Sequence, residues 1–199
     1  MNLPNKISMA RIFMIPVFLV VLLVDIPGIR FDVPGVEVAF YRYIAAVIFL
    51  AAAFTDFLDG YYARKYNQIT DLGKFLDPLS DKLLVMAAML YLVGIDLLPS
   101  WIVVIILARE FIVSGFRTMA ARRGIVMAAD VWGKVKTVFQ IIMITYILIE
   151  VSGLDNITGL GFNLFGMIDT MLVVATIGLT LVSGVLYIIK NIHVLGEGK

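Results

Sequence analysis

The sequence contains no cysteine and only one histidine, His193. The absence of cysteine excludes disulfide bonds, thiolate nucleophiles and cysteine-ligated zinc or iron. A single histidine excludes metal sites built from several histidines, and it leaves no convincing Ser-His-Asp triad. Any chemistry in this chain must therefore depend on other side chains.

Charge is also scarce. Only 16% of the 199 residues are charged, against roughly 25% in soluble domains. Hydrophobic residues make up 61% of the chain, and its mean hydropathy is +1.00. A soluble chain of this size has no core large enough to hold so much apolar surface, so part of the surrounding solvent must be lipid. The net charge of +1 gives no indication of a nucleic-acid partner.

Six apolar runs, each close to the roughly 20 residues needed to cross a bilayer, follow one another without a long linker, repeat or low-complexity tract. They are continuously apolar and lack a period-two alternation, which argues against a β-barrel. No small-residue cleavage site follows the first run, so it predicts a retained helix and not a signal peptide. The predicted fold is an all-α membrane protein, a bundle of six transmembrane helices forming a single domain over residues 1–199. The predicted spans are Ile7–Val24, Val38–Leu58, Leu79–Leu98, Trp101–Ala121, Val135–Val151 and Ile168–Ile189.

Lysine and arginine are distributed unequally between the two sides of the predicted membrane. With six spans, both termini share one side with the second–third and fourth–fifth connections. The opposite side has only Arg30 and Arg42. The positive-inside rule therefore places both termini in the cytoplasm, most simply at the cell membrane. The basic residues of the cytoplasmic side are Lys6, Arg11, Arg64, Lys65, Lys74, Lys82, Arg117, Arg122, Arg123, Lys134, Lys136, Lys190 and Lys199.

Four aspartates lie in one short pattern, D-x2-D-G-x2-A-R-x8-G-x3-D-x3-D, between the second and third runs. Asp56 and Asp59 share a face of one helix, and Asp77 and Asp81 share a face of the next. We expect a cytoplasmic loop of about 12 residues between these helices, with Pro78 in the first turn of the second. Carboxylates at a membrane boundary repel one another and are costly to desolvate, so they need a counter-charge. Oxygen ligands suit Mg²⁺ or Mn²⁺, and four carboxylates fit a two-metal site for phosphoryl transfer. The pattern therefore predicts a cytoplasm-facing metal site.

The other fixed positions of the pattern suit a phosphate ester. Gly60 and Ala63 remove side-chain bulk next to the predicted metal ligands, so a flat nucleotide could lie against the helix. Arg64 is placed to pair with a phosphate. The alternative for Arg64 is a topology marker with no ligand.

The complete pattern resembles the signature of the CDP-alcohol phosphotransferase family, with every fixed position present. The segment 2–8, Asn-Leu-Pro-Asn-Lys-Ile-Ser, followed by Arg11, also resembles the N-terminus of these enzymes. The resemblance covers nearly the whole chain. It implies that Asp56, Asp59 and Asp77 bind two Mg²⁺ or Mn²⁺ ions, with Asp81 as both ligand and general base. It also implies CDP-diacylglycerol as donor, membrane lipids as surroundings and a homodimer. The CDP contacts that it implies are Asn5, Ser8, Gly60, Arg64 and Thr70.

Within the family, three further segments resemble enzymes whose acceptor is sn-glycerol 3-phosphate. The resemblance implies that Asp81 takes a proton from the C1 hydroxyl of this acceptor, which attacks the β-phosphorus and displaces CMP. The segments are 73–82, Gly-Lys-Phe-Leu-Asp-Pro-Leu-Ser-Asp-Lys; 108–110, Ala-Arg-Glu; and 133–137, Gly-Lys-Val-Lys-Thr.

An anionic acceptor needs cations beyond those that bind the diphosphate. Our candidates for its phosphate are Arg109, Arg117, Lys134 and Lys136. An unpaired guanidinium is expensive in the middle of a span, where Arg109 lies. The two lysines are about 200° apart on an ideal helix, so both reach one pocket only if the fifth helix starts near Val135. As alternatives, Arg109 is structural and pairs with Glu110 or a backbone carbonyl, and the other three anchor the chain to lipid headgroups.

Two other functions stay open at this point. A sister enzyme would use the same donor with another acceptor, such as inositol phosphate, or phosphatidylglycerol as in cardiolipin synthesis. A cation transporter would use the aspartates as its transport site. Transport sites lie near the bilayer midplane, whereas these aspartates lie at the predicted cytoplasmic boundary, which disfavours transport.

Overall fold

The computed structural model describes the backbone of residues 3–23, 30–33, 36–65, 71–122, 131–149 and 164–191, and the side chains of residues 12–23, 41–55, 80, 82–121, 131–149 and 166–191. Within these ranges the chain forms six helices and one β-hairpin. In chain order the elements are α1 (Leu3–Leu23), β1 (Arg30–Val33), β2 (Val36–Ala39), α2 (Phe40–Lys65), α3 (Asp71–Gly94), α4 (Ser100–Arg122), α5 (Val131–Ile149) and α6 (Leu164–Asn191).

The six helices lie over the six predicted apolar runs. Every helix end differs from the predicted bound by at least one residue, and the end of α2 and the start of α3 differ most. Helix α2 continues to Lys65 and helix α3 begins at Asp71, so residues 66–70 alone connect them. The expected loop of about 12 residues is wrong, because polar residues such as lysine and arginine continue a helix readily beyond its apolar part. Pro78 is consequently the eighth residue of α3 and does not lie in its first turn.

The hairpin between α1 and α2 was not predicted. Strands β1 and β2 are antiparallel, with Arg30 opposite Ala39 and Val33 opposite Val36. Each strand has only four residues. Strands are identified by a period-two alternation over 4–8 residues, and at this lower limit the signal is weak. The described fold is thus helical with one small two-stranded sheet, and not strictly all-α.

The apolar character of the helices agrees with a membrane environment. In the described part of the chain, Val131–Ile149 and Gly166–Asn191 are long and apolar enough to cross a membrane, and three shorter apolar segments lie in α1, α2 and α3. Large apolar side chains are exposed on all six helices. Exposed apolar surface of this extent requires cover by another apolar phase. One such residue from each helix in turn is Phe13, Val47, Leu90, Phe111, Val138 and Met171.

Close packing joins α1 and α2 at the centre of the bundle. The ring centroids of Phe18 and Phe49 are 6.1 Å apart, and both side chains are fully buried. Ala45 and Ala52 of α2 are also buried. Their small side chains allow the neighbouring backbones to approach closely, as in other membrane helices.

Four polar contacts between helices show which helix ends lie together. In the half of the bundle that holds the start of α5, Lys82 of α3 donates to Ser114 of α4, and Lys136 of α5 donates to Glu110 of α4. Arg117 of α4 also reaches α6 there. At the other end, Arg42 near the start of α2 donates to the carbonyl oxygen of Ile147 near the end of α5, at 2.7 Å. We call the first of these ends the basic end, defined by Lys82, Arg117, Lys134 and Lys136.

The direction of α2 follows from these contacts. Because α2 starts at the end opposite the basic end, its last turns extend toward the basic end. The short connection then returns the chain into α3, whose Lys82 belongs to the basic end. The end of α2 and the first turns of α3 therefore share that end of the bundle.

The turn between α3 and α4 closes the opposite end. Asp96 has a φ of 58°, and the amides of Leu97 and Leu98 both donate to the carbonyl oxygen of Leu92, at 3.0 and 3.2 Å. Aspartate tolerates this left-handed conformation better than most residues because its short polar side chain bonds locally. Asp96 is exposed and is remote from the basic end.

Candidate active site at the basic end of the bundle

The four aspartates of the sequence pattern lie on the two helix segments that meet at the basic end. Asp56 and Asp59 are in the last turns of α2, and Asp77 and Asp81 are in the first turns of α3. Helical geometry separates the first pair by about 60° and the second by about 40° around their axes. Each pair therefore shares one face of its helix, as predicted.

Four of the five residues predicted to contact CDP-diacylglycerol lie on helices α1 and α2. Gly60 and Arg64 belong to the end of α2, and Asn5 and Ser8 to the start of α1. The side chains of these residues and of the four aspartates lie outside the described side chains, and Thr70 lies outside the described backbone.

The donor chemistry at this end fits a hard divalent cation. Among the described side chains, no group of three or more histidines, aspartates or glutamates is placed to hold a metal ion. The acidic residues among them are Asp96, Glu110 and Asp169; Asp96 closes the opposite end, and Glu110 is bonded to cations. Consecutive helices joined by a five-residue connection carry the four pattern aspartates, and their carboxylate oxygens are ligands of the kind that Mg²⁺ or Mn²⁺ prefers.

Next to the end of the bundle, one carboxylate oxygen joins two cations on different helices. Oε1 of Glu110 accepts from Nη1 of Arg109 at 3.2 Å and from Nζ of Lys136. Lys136 is 2% exposed and the Arg109 side chain 12% exposed. A buried cation without a counter-charge is strongly destabilising, so the carboxylate of Glu110 favours the burial of both. Arg109 thus makes the contact with Glu110 that its structural interpretation requires.

The last helix forms a narrow slot around Arg109. Nη2 of Arg109 donates to Oγ of Ser183 at 3.0 Å. A Cβ added to Gly184 of α6 would be 3.0 Å from Cγ of Arg109, and one added to Gly133 of α5 would be 3.5 Å from its Nη2. The arginine therefore passes between two helices at positions where neither carries a side chain.

Arg117 contacts the same face of α6 one turn further along. Its Nε donates to Oη of Tyr187 at 3.4 Å, and its guanidinium carbon is 5.6 Å from the centroid of that ring. Tyr187 follows Ser183 by four residues, so the two contacts show that α4 and α6 run in the same direction. If successive spans cross a membrane in alternating directions, the fourth and the sixth run in the same direction, as α4 and α6 do.

The structure separates the two candidate lysines. Helix α5 begins at Val131 and not near Val135, so the condition for both lysines to reach one pocket is not met. Lys136 is buried against Glu110, whereas Lys134 is exposed. Of the four acceptor candidates, the described contacts bring Arg109 and Lys136 together, while Arg117 lies further along α4.

A cavity of about 160 Å³ lies beside Glu110 and Lys136, between α3, α4 and α5. Most of its wall is apolar, and its charged lining residues are Lys82, Glu110 and Lys136. Sequence reasoning did not single out Lys82, Ser183 or Gly184. Glu110 was considered only as a partner for Arg109, although its place after an arginine in the middle of an apolar run was a signal of a buried ion pair.

Comparison with known proteins identifies the family of this chain. The sequence model of the CDP-alcohol phosphatidyltransferase family matches residues 1–193. The chain belongs to this family. A protein of Bacillus subtilis named CDP-diacylglycerol–glycerol-3-phosphate 3-phosphatidyltransferase is 44% identical over 190 residues, which is 96% of this chain and 95% of that protein.

More distant relatives in the family have related names. A Rickettsia bellii protein with the same name is 36% identical over 155 residues, or 76% of this chain and 77% of that protein. A Mycobacterium tuberculosis protein named probable phosphatidylglycerophosphate synthase is 33% identical over 196 residues, or 98% of this chain and 84% of that protein. Membership of this family, together with the exposed apolar helices, makes the chain a membrane transferase.

Proposed function

We propose that this membrane enzyme is a CDP-diacylglycerol–glycerol-3-phosphate 3-phosphatidyltransferase. It transfers the phosphatidyl group of CDP-diacylglycerol to sn-glycerol 3-phosphate, giving phosphatidylglycerophosphate and CMP. The observation that carries this proposal is the 44% identity, along 96% of the chain, to a relative with that name. The complete aspartate pattern across α2 and α3 supports it, because the reaction needs carboxylates that bind divalent metal ions and accept a proton.

In this function the aspartates of α2 and α3 hold two Mg²⁺ or Mn²⁺ ions. Asp56, Asp59 and Asp77 are ligands, and Asp81 is a ligand and the general base. When bound, the ions supply positive charge that stabilises the diphosphate and the departing CMP. The helical spacing of the aspartates supports this assignment, since each pair shares one face.

The protein's own groups complete the transfer. Asp81 accepts the proton of the acceptor C1 hydroxyl. The oxygen of that hydroxyl forms a bond to the β-phosphorus, and the bond from this phosphorus to the CMP oxygen breaks. Arg64 pairs with the diphosphate, and Gly60 allows the nucleotide to approach α2. Asn5, Ser8 and Thr70 complete the contacts to the CDP portion.

The acceptor phosphate binds to cations beside this site. Arg109 and Lys136 are the best-supported candidates, because both are held at one carboxylate of the bundle near the basic end. Arg117 and Lys134 are exposed at the same end, where they attract the anionic acceptor or bind lipid headgroups.

The enzyme crosses the cell membrane six times, with both termini and the active site in the cytoplasm, and forms a homodimer. The six helices, their exposed apolar side chains and the gathering of basic residues at one end support this topology. Nucleotide and polar acceptor are both available on that side.

The acceptor is tested by supplying the purified protein with CDP-[¹⁴C]diacylglycerol and one alcohol at a time. We expect labelled phosphatidylglycerophosphate with sn-glycerol 3-phosphate and no labelled phosphodiester with inositol phosphate or phosphatidylglycerol, as resolved by thin-layer chromatography. A labelled product with inositol phosphate or phosphatidylglycerol alone would assign the chain to a sister enzyme. Metal-driven ion flux into liposomes without CMP release would instead indicate transport.

Removing the charge of Arg109 tests its role at the acceptor phosphate. Arg109→Gln should raise the apparent KM for sn-glycerol 3-phosphate by about 10- to 100-fold, because a hydrogen bond to a charged group contributes about 1.5–3 kcal/mol. The KM for CDP-diacylglycerol should change much less. Lys190→Gln, which removes an exposed cation at the end of α6, is the control and should leave both constants near their wild-type values. An unchanged KM for the acceptor in Arg109→Gln would remove Arg109 from the acceptor site.

A further inference from the structure

Glu110 holds a position that the proposed chemistry does not use. Its Oε1 accepts from Arg109 of its own helix and from Lys136 of α5. The carboxylate is the described link between these two cations, and 24% of its side chain is exposed, so it is neither sealed in the core nor free in solvent.

Cations outnumber anions among the described charged side chains around the adjoining cavity. Lys82, Lys136 and Glu110 line it, and Arg109 is bonded to Glu110. These four side chains carry three positive charges and one negative charge. A phosphate monoester carries about −1.5 to −2 at neutral pH, so it has the charge that these cations attract.

Arg109 retains capacity to bind a ligand. Its Nη1 and Nη2 donate to Glu110 and Ser183. Its Nε is buried without a hydrogen-bond partner in the described part of the chain. An unsatisfied buried donor is costly, and a hydrogen bond from this nitrogen to an anion would remove that cost.

The slot in α6 determines where the guanidinium lies. Gly184 leaves room for the stem of Arg109, and a Cβ there would be 3.0 Å from its Cγ. Gly178 lies on the same helix, and a Cβ added to it meets nothing within 4 Å. Replacing either glycine with alanine raises the helix propensity by the same amount. The two variants therefore differ in the contact with Arg109, which only an alanine at position 184 makes.

We infer that Glu110 and Gly184 are positioning residues that hold Arg109 and Lys136 together as one binding subsite for the acceptor phosphate. Glu110 joins the two cations through one oxygen and so keeps them adjacent when no acceptor is bound. Gly184 keeps the arginine in its slot against Ser183. Neither residue touches the reacting atoms. The inference rests on the proposed function, since the subsite serves the phosphate of sn-glycerol 3-phosphate.

The test compares kinetic constants of the full-length protein in detergent for Glu110→Gln, Glu110→Asp, Gly184→Ala and Gly178→Ala. We expect Glu110→Gln to raise the apparent KM for sn-glycerol 3-phosphate by about tenfold or more, because each cation loses a charged hydrogen bond. The KM for CDP-diacylglycerol should stay within about twofold. Glu110→Asp, which keeps the charge, should restore part of the acceptor affinity.

The glycine pair gives an independent answer if Glu110→Gln does not fold. Gly184→Ala should raise the acceptor KM several-fold, and Gly178→Ala should not change it. Equal acceptor constants for Gly184→Ala and Gly178→Ala, or a Glu110→Gln protein with unchanged acceptor KM, would overturn the inference. A wild-type protein that releases no CMP with sn-glycerol 3-phosphate would instead overturn the proposed function itself, so the two failures are distinguishable.

Discussion

Asp81→Asn should release CMP about 100- to 10,000-fold more slowly than the wild-type enzyme, which is the usual contribution of a general base. The substitution keeps the shape of the side chain but removes the charge that accepts the proton of the acceptor hydroxyl. It also weakens one ligand of the proposed metal site, so the loss should lie at the upper part of this range. CMP release at saturating CDP-diacylglycerol and sn-glycerol 3-phosphate measures it directly.

The matched control is Asp96→Asn, which makes the same chemical change at the other end of the bundle. Asp96 is exposed in the α3–α4 turn with a φ of 58°, a conformation that asparagine also adopts. We expect this variant to keep wild-type activity. Asp81→Asn with activity close to wild type would remove the general-base assignment, and a monodisperse gel-filtration profile for both variants would show that the fold is kept.

Removal of divalent metal should have an effect at least as large. After treatment with a chelator, we expect activity below about 1% of the starting value, since the four carboxylates then repel one another and nothing neutralises the diphosphate. Mg²⁺ or Mn²⁺ should restore activity. Ca²⁺ should restore less, because its larger radius and looser coordination suit a compact carboxylate site poorly.

Metal binding and folding are separable in this experiment. The chelated protein should keep its gel-filtration profile, because the described core, including Phe18 and Phe49, contains no metal ligand. Asp56→Asn should shift the Mn²⁺ concentration needed for half-maximal activity upward, while Asp96→Asn should not. Full activity in the chelated enzyme would contradict a metal-dependent mechanism.

Hydropathy was sufficient to predict the six helices but not where they end. The predicted second span ends at Leu58, whereas helix α2 itself continues to Lys65. In the same way, α3 begins at Asp71, whereas the apolar run that predicted it begins at Leu79. The hairpin at Arg30–Val33 and Val36–Ala39 escaped prediction because two four-residue strands gain their stability from pairing with each other.

The sequence alone likewise indicates one part of the candidate site, the aspartate pattern, and not the other, the cation site. The aspartate pattern is local, with fixed spacing on two consecutive helices, so the sequence alone indicates it. The cation site is not local: Arg109 meets Ser183, which is 74 residues later, and Lys136 meets Glu110, which is 26 residues earlier. The spacing of Lys134 and Lys136 could not reveal which one is buried, because that depends on α5 beginning at Val131.

The most direct test of the central claim is the coupling between lipid product and CMP in a single reaction. The purified protein is given CDP-diacylglycerol, Mg²⁺ and sn-[¹⁴C]glycerol 3-phosphate, and the label in the organic phase is compared with the CMP in the aqueous phase. Transfer of a phosphatidyl group to this acceptor predicts equal molar amounts of labelled phosphatidylglycerophosphate and CMP at every time point. CMP released without label in the lipid, or no release when sn-glycerol 3-phosphate is the acceptor, would contradict the account.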